Sequence, residues 1–139
     1  MSTAENKDLV RQYFEVFHNQ RQVDLGDQIL GSELLTPTLG MAAVMRTAFP
    51  DYQITIDDQL AEADEVATAW TASGTHHGEW ASPMGPVEPT GNKAVTWTGT
   101  TTLRIADGKM AEVIGTNWDH LGILQQLGAL PATDPRSGA

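Results

Sequence analysis

The feature that most constrains the fold of this chain is a change in its hydrophobic period at Pro50. Before Pro50 the apolar residues recur every three or four positions, as on one face of a helix, and after it they alternate with polar residues, as in strands. The predicted helices cover residues 4–19, 23–30 and 38–49. A connection is predicted over residues 34–39, because Thr36-Pro37 interrupts helical hydrogen bonding. The first third of the chain is therefore predicted to be helical.

The second part of the chain predicts an antiparallel sheet closed by one helix. The predicted strands cover residues 52–57, 66–75, 94–105 and 109–118, and the helix covers residues 120–128. Asp107-Gly108 between the last two strands is a signal for a tight hairpin. Residues 82–92 contain three prolines and two glycines and are predicted to be a loop. The fold class is therefore α+β, with helices on the concave face of a curved, mostly antiparallel sheet that encloses a deep pocket. One domain is predicted over residues 1–130, with a flexible tail over residues 131–139.

Charge and composition exclude several classes of partner. Eighteen acidic residues against eight basic ones give a formal net charge of -10, which repels nucleic acid and anionic membrane surfaces. The chain has no cysteine, which excludes disulfides and thiolate chemistry. No apolar run approaches the roughly 20 residues that span a bilayer, and no secretory leader is recognisable at the N-terminus. We expect a soluble, cytoplasmic protein.

Alternation along the third predicted strand separates an inner from an outer face. Trp97, Leu103 and Ile105 share one face, and their apolar character predicts that this face points inward. Thr98 and Thr100 lie on the opposite face, which is too polar for a core. That outer face is predicted to be partly solvated or to form the contact of a homodimer.

A candidate catalytic group lies where the fourth predicted strand ends, in Asn117-Trp118-Asp119-His120. The two-residue period of a strand puts Asp119 on the same face as Asn117 and Gly115, and Gly115 would leave space beside the carboxylate. Burial among tryptophans would make that carboxylate a stronger base, suited to acid and base catalysis. The alternative is that Asp119 only caps the following helix, for which Asp is a preferred residue.

Further residues are candidates for a pocket that binds a small, hydrophobic aromatic substrate. Those predicted to contact the substrate are Tyr13, Phe17, Trp70, Trp97, Thr101, Gly115 and Trp118. The aromatic members of this set could equally be core. His76 is predicted to lie on the same face of the strand as Trp70, from which it could donate a hydrogen bond to a substrate carbonyl. The alternative is that His76 is a partly exposed loop histidine. Asn117 could orient a carbonyl oxygen or form a turn. His76-His77 has no third ligand at a recognisable spacing, so no metal is predicted.

Five short motifs in order resemble the SnoaL-like polyketide cyclase family, within the wider nuclear transport factor 2 and ketosteroid isomerase superfamily. They are Phe49-Pro50-Asp51-Tyr52, residues 70–78, Thr96-Trp97-Thr98-Gly99, residues 104–109, and Trp118-Asp119 with Leu124-Gln125-Gln126-Leu127-Gly128. The resemblance implies a cone with a deep apolar pocket, usually dimeric through the outer sheet face. It implies ring closure of aromatic polyketides, such as anthracycline precursors, by intramolecular aldol chemistry without metal or cofactor. Asp119 occupies the position of the family's acid/base.

The sequence departs from the ring-closing cyclases at two positions. Those enzymes carry a Gln and a His on the strand that ends in Arg-Ile-x-Asp-Gly-Lys, where this chain has Gly99 and Thr101. Neither residue replaces an imidazole, and both would enlarge the pocket. Some relatives are described as polyketide hydroxylases, so hydroxylation of a polyketide is the first alternative to ring closure. Such an enzyme would use substrate-activated oxygen or a partner reductase, because no flavin or dinucleotide motif is present. The second alternative is a non-catalytic binding or scaffold protein.

Overall fold

The fold is known from a computed structural model, which describes residues 2–89 and 91–129. The predicted tail over residues 131–139 lies outside the described residues. The helices are α1 (Thr3–Gln12), continued by a π-helical segment (Tyr13–Asn19), a short 3₁₀ turn (Val23–Leu25), α2 (Gly26–Ile29), α3 (Ser32–Ala48) and α4 (His120–Gln126). A capping box between Ser2 and Glu5 begins α1, where both reciprocal hydrogen bonds are present. None of the described helices is both long and apolar enough to cross a membrane.

The connection predicted over residues 34–39 is wrong, because α3 runs through it with Pro37 inside the helix. Proline removes one backbone donor, and here the carbonyl left without it belongs to Glu33 in the first turn, where water can replace the lost bond. The buried face of α3, formed by Ala42, Met45 and Ala48, packs against the core. This packing outweighs the local signal of Thr36-Pro37.

The main sheet has four strands in the order β1-β2-β5-β6, and every pairing in it is antiparallel. The strands are β1 (Gln53–Glu62), β2 (Glu65–Thr75), β3 (Trp80–Ser82), β4 (Gly85–Val87), β5 (Ala94–Ala106) and β6 (Lys109–Trp118). Asp107 and Gly108 both have positive φ, as the predicted two-residue hairpin turn requires. The predicted loop over residues 82–92 is wrong in part, because β3 and β4 pair there as a small hairpin whose turn Ser82 closes by donating to the Gly85 carbonyl.

The helices cover one face of this sheet, which gives the predicted α+β arrangement. Trp97, Leu103 and Ile105 are buried beneath them, whereas Thr98 and Thr100 are exposed on the other face, so the predicted parity of β5 is confirmed. Arg104 on the outer face pairs with Asp64, Glu65 and Glu112. Dimerisation through the outer face stays a prediction.

Candidate active site

The inner face of β6 differs from the predicted one, because the prediction aligns the strand on Asp119, which lies beyond the strand's end at Trp118 and caps α4. Thr116 pairs with the buried Thr101 and therefore faces inward, and Trp118 likewise pairs with Gly99 of the inner face. Asn117 pairs with the exposed Thr100 and so lies on the outer face. The expected inward positions of Asn117 and Gly115 are wrong. The pairing contains two register shifts of one residue each, and because together they preserve the two-residue alternation, residues 115–118 keep the faces that pairing from the Asp107-Gly108 turn would give them.

Asp119 is exposed and caps α4. Its Oδ1 accepts a hydrogen bond from the Gly122 backbone N–H at 2.9 Å. A Cβ at residue 122 would lie 2.2 Å from Asp119 Oδ2, so glycine there allows the carboxylate to approach the helix. Asp119 does not line the cavity described below. The geometry is that of the capping alternative, and a catalytic role of Asp119 stays a prediction.

A cavity of about 560 Å³ lies between the helices and the inner face of the sheet. Five residues predicted to contact the substrate line it: Tyr13, Trp70, Trp97, Thr101 and Trp118. The remaining walls include Phe14, His18, Leu34, Met41, Met45, Tyr52, Ile54, Ala72, Trp80, Leu103, Val113, Thr116 and His120. Among the described residues, its lining contains no Asp, Glu, Lys or Arg. Phe17 does not line the cavity, because it is fully buried behind Tyr13 with the two rings stacked.

At one end of the cavity, which we call the phenol end, Tyr13, His18 and Tyr52 come together. Tyr13 and His18 are five residues apart, and the π-helical segment brings such residues onto one face. His18 Nδ1 and Tyr52 Oη are hydrogen-bonded at 3.0 Å. The ordinary helical period of 3.6 residues places residues five apart on different faces, so sequence reasoning missed His18.

The three groups of the phenol end are neutral at pH 7. Burial, with a smaller effect of the Arg46 charge, lowers the pKa of His18 to about 3. Burial also raises the pKa of Tyr13 and that of Tyr52, although for Tyr52 the charges of Arg46 and Arg21 oppose the effect. This end therefore offers hydrogen bonds without a net charge of its own.

At the other end, which we call the tryptophan end, His120 stacks on two indoles. Its ring centroid lies 5.5 Å from that of Trp118 and 6.2 Å from that of Trp80, with interplanar angles of 13° and 15°. Burial lowers the pKa of His120, and the neighbouring Asp119 charge opposes this effect. A neutral imidazole with a carboxylate beside it is suited to accept and return a proton.

Gly99 and Thr101 stand where the ring-closing cyclases have Gln and His, and the sequence predicts that they enlarge the pocket. The space beside them is instead filled. A Cβ at Gly99 would lie 2.3 Å from Trp70 Cζ2, so this glycine makes room for the indole and does not enlarge the cavity. Trp70 Nε1 donates to Thr101 Oγ1 at 3.0 Å, and Thr101 Oγ1 lies 3.3 Å from Thr116 Oγ1. The indole of Trp70 thus fills space beside both positions.

His76 is buried but does not line the cavity. Its ring lies against Phe49, with centroids 5.4 Å apart, and neither ring nitrogen makes a hydrogen bond of good geometry to any described residue. Burial lowers its pKa, an effect that the backbones of Gly78 and Val87 partly oppose. The partly exposed histidine of the alternative is not found. In the part of the chain that the structure describes, no group of three His, Cys, Asp or Glu is arranged to hold a metal.

The fold and the cavity define a class of small α+β domains that enclose an apolar site between helices and a curved antiparallel sheet. Within that class, the model of the SnoaL-like polyketide cyclase family matches residues 7–127. The chain belongs to this family. A search of curated proteins finds no match.

Solved structures share this fold. AclR from Streptomyces galilaeus, a proposed hydroxylase, is 25% identical with a TM-score of 0.80, and the match covers 98% of this chain and 88% of AclR. IdmH from Streptomyces antibioticus, a proposed polyketide cyclase, is 25% identical with a TM-score of 0.73 over 88% of this chain and 98% of IdmH. TsrD from Streptomyces laurentii, at 20% identity, has a TM-score of 0.80 over 94% of this chain and 99% of its own and shares the fold.

Proposed function

We propose that this protein closes a ring of an aromatic, anthracycline-type polyketide by intramolecular aldol chemistry, without metal or cofactor. The observation that carries the proposal is the position of His120, whose imidazole borders an apolar cavity beside Trp118 and next to the Asp119 carboxylate. Because Asp119 itself caps α4, we assign the acid/base role to His120 and give Asp119 the role of a positioning residue.

The proposed step needs one base that later acts as an acid. Neutral His120 takes a proton from the carbon alpha to a carbonyl, and the electron pair of that C–H bond forms an enolate. The enolate carbon then bonds to a second carbonyl carbon, whose C=O π bond becomes an alkoxide. The alkoxide takes the proton back from the imidazolium, so no net oxidation occurs. Asp119 favours the transient imidazolium by its negative charge.

The cavity supports this chemistry by its shape and its lack of charge. Indoles of Trp70, Trp97 and Trp118 provide flat walls for an aromatic ligand. The walls also exclude water from the enolate, which would otherwise be protonated by solvent.

Anaerobic turnover of a methyl-ester anthraquinone precursor tests the proposal. The wild type is expected to close the ring under nitrogen, as measured by chromatography and mass spectrometry. His120→Phe keeps an aromatic ring against Trp118 and removes the base, so the rate should fall by at least about 100-fold. His77→Phe is the matched control, because His77 is exposed and lies outside the cavity, and it should keep the wild-type rate.

Asp119→Asn separates the two candidate bases. Asparagine preserves the cap of α4, and His120 keeps its lone pair, so we expect the rate to fall only about two- to fivefold, the size of an exposed charge interaction. A loss as large as that of His120→Phe would instead make Asp119 the base. Full turnover by His120→Phe would refute the assignment of His120.

The second candidate function is hydroxylation of a polyketide ring. The likeness to AclR and the replacement of the cyclase Gln and His by Gly99 and Thr101 favour it. Dioxygen would be the oxidant, with two electrons from the reduced form of the substrate or from a partner reductase. Product formed only with oxygen and a reductant would support this reaction. A non-catalytic binding protein would bind the precursor and give no product under either condition.

A further inference from the structure

The hydroxyl of Tyr13 opens onto the cavity and has no hydrogen-bond partner among the described residues. Tyr13 is only 9% exposed and lines the cavity, and within residues 2–89 and 91–129 its Oη makes no hydrogen bond. The neighbouring Tyr52 hydroxyl is already bonded to His18. A ligand that fills the cavity displaces the water that this hydroxyl can otherwise reach, so the ligand must replace that hydrogen bond. A ligand atom that accepts a hydrogen bond is therefore the natural partner of Tyr13.

The surroundings of Tyr13 define the chemistry of that ligand atom. The ring of His18 lies edge-on to Tyr13, with centroids 4.5 Å apart, and Phe14 and Phe17 complete the contacts. Tyr13 keeps its proton, because burial raises its pKa, and so it acts as a donor. No lysine or arginine among the described residues lines the cavity to compensate a ligand carboxylate. The Arg46 charge, which acts on His18 and Tyr52 from behind the lining, favours an electron-rich acceptor here, and a carbonyl oxygen is the simplest one in a polyketide.

The position of the phenol end separates this contact from the proposed reaction centre. Tyr52 immediately precedes β1 and Trp118 ends β6, and these strands are the two edges of the four-stranded sheet. Three strand spacings of about 4.8 Å separate the backbones of these two strands by about 14 Å along the curved sheet. The Tyr13 contact and the proposed base therefore belong to opposite edges of the sheet.

We propose that Tyr13 anchors a flat polycyclic ligand by donating a hydrogen bond to a ketone or quinone oxygen at the phenol end of the cavity. The inference deepens the proposed function and rests on it for the identity of the natural ligand. Tyr13 is a substrate-binding residue that sets the orientation of the ring system. His18 fixes the orientation of Tyr13 by its edge contact, and the His18–Tyr52 hydrogen bond in turn holds His18.

Paired ligands that differ only in a carbonyl test the anchor without any turnover. 9-Fluorenone and fluorene share one tricyclic skeleton, and equilibrium dialysis measures the Kd of each. We expect the wild type to bind fluorenone more tightly than fluorene. Tyr13→Phe should weaken fluorenone binding roughly tenfold and leave fluorene binding within about twofold, because only the hydroxyl is removed.

Thr38→Val serves as the control, because Thr38 also borders the cavity with a hydroxyl but is not assigned to the anchor. It should retain the fluorenone preference. Circular dichroism and the thermal midpoint verify that each variant is folded. The anchor would be overturned if Tyr13→Phe weakened the binding of both ligands equally or did not weaken it at all. It would also be overturned if Thr38→Val weakened fluorenone binding as selectively as Tyr13→Phe. Ring closure by the wild type is measured separately, so failure of the proposed reaction is distinguishable from failure of the anchor.

Discussion

The two ends of the cavity each place a histidine against aromatic rings, but they give it opposite properties. His18 is 1% exposed and hydrogen-bonded to Tyr52, and burial, with a smaller effect of the Arg46 cation, lowers its pKa and holds it neutral. His120 is partly exposed and sits next to the Asp119 anion, which favours its charged form. One imidazole is a fixed element of structure, and the other is able to change charge during a reaction.

The comparison shows that burial alone does not identify a catalytic histidine. The lowest pKa in the cavity belongs to His18, yet an imidazole that resists protonation to about pH 3 is a weak base at neutral pH. A base must accept the proton and then hold it until the alkoxide needs it. Burial lowers the pKa of both histidines, but the Asp119 carboxylate opposes this effect at His120, whereas the Arg46 guanidinium adds to it at His18.

The largest effect that separates the two ends is the response of stability to acid. The unfolded chain protonates His18 near pH 6.5, whereas the folded protein does so only at about pH 3, so the unfolded state binds more protons between these values. The free energy of unfolding should therefore fall as pH falls through this window. His18 alone contributes about 1.4 kcal/mol per pH unit, or about 2 kcal/mol by pH 5.

Urea unfolding at pH 7 and pH 5 measures this contribution. His18→Gln should be less stable than the wild type at pH 7, because a buried ring is lost, but should lose about 2 kcal/mol less between the two pH values. Some acid dependence should remain, since burial also lowers the pKa of His76. His77→Gln, at an exposed site, should keep the full dependence. An unchanged slope in His18→Gln would mean that His18 has the same pKa in the folded and the unfolded protein.

The fold was largely predictable because it follows from hydrophobic periods. The change at Pro50, the hairpin at Asp107-Gly108 and the inner face of β5 are local patterns, and tertiary packing reinforces each of them. The exceptions are Pro37 in α3 and the hairpin of β3 and β4, where packing outweighs breaker residues.

The candidate site was less predictable because it depends on departures from regular periods. Asp119 lies beyond the end of β6 and does not set the faces of Asn117 and Gly115, and the π-helical segment turns His18 toward the cavity. The π-helical segment has no strong sequence signal. Tyr13 and Trp70 line the cavity, and so does Trp118, which the two-residue period would have put on the face opposite to Asn117.

A substitution that overpacks the space beside Trp70 tests the structure of the tryptophan end. Gly99→Ala would place a Cβ 2.3 Å from Trp70 Cζ2 and 2.5 Å from the Asn117 carbonyl oxygen. We expect a loss of about 1–3 kcal/mol in the free energy of unfolding, the usual cost of overpacking. Gly115→Ala, where no atom lies within 4 Å of the new Cβ, is the control and should change stability by less than about 0.5 kcal/mol. Equal effects of the two variants would show that Trp70 moves aside without cost.

The smallest expected effect is a shift of the pH profile in Asp119→Asn. It distinguishes an Asp119 charge that acts through His120 from one that acts on the substrate. Activity requires neutral His120, so the rate should fall as pH drops through the pKa of this histidine, which burial holds below the ordinary value of 6.5. The Asp119 charge raises that pKa, and Asp119→Asn removes it while preserving the cap of α4. The acid limb of the kcat/KM profile should therefore move to lower pH in Asp119→Asn, leaving the variant closer to the wild type at pH 5 than at pH 7.5. A uniform reduction at every pH, with the limb in place, would mean that Asp119 does not tune His120 and that the two ends of the cavity differ in burial alone.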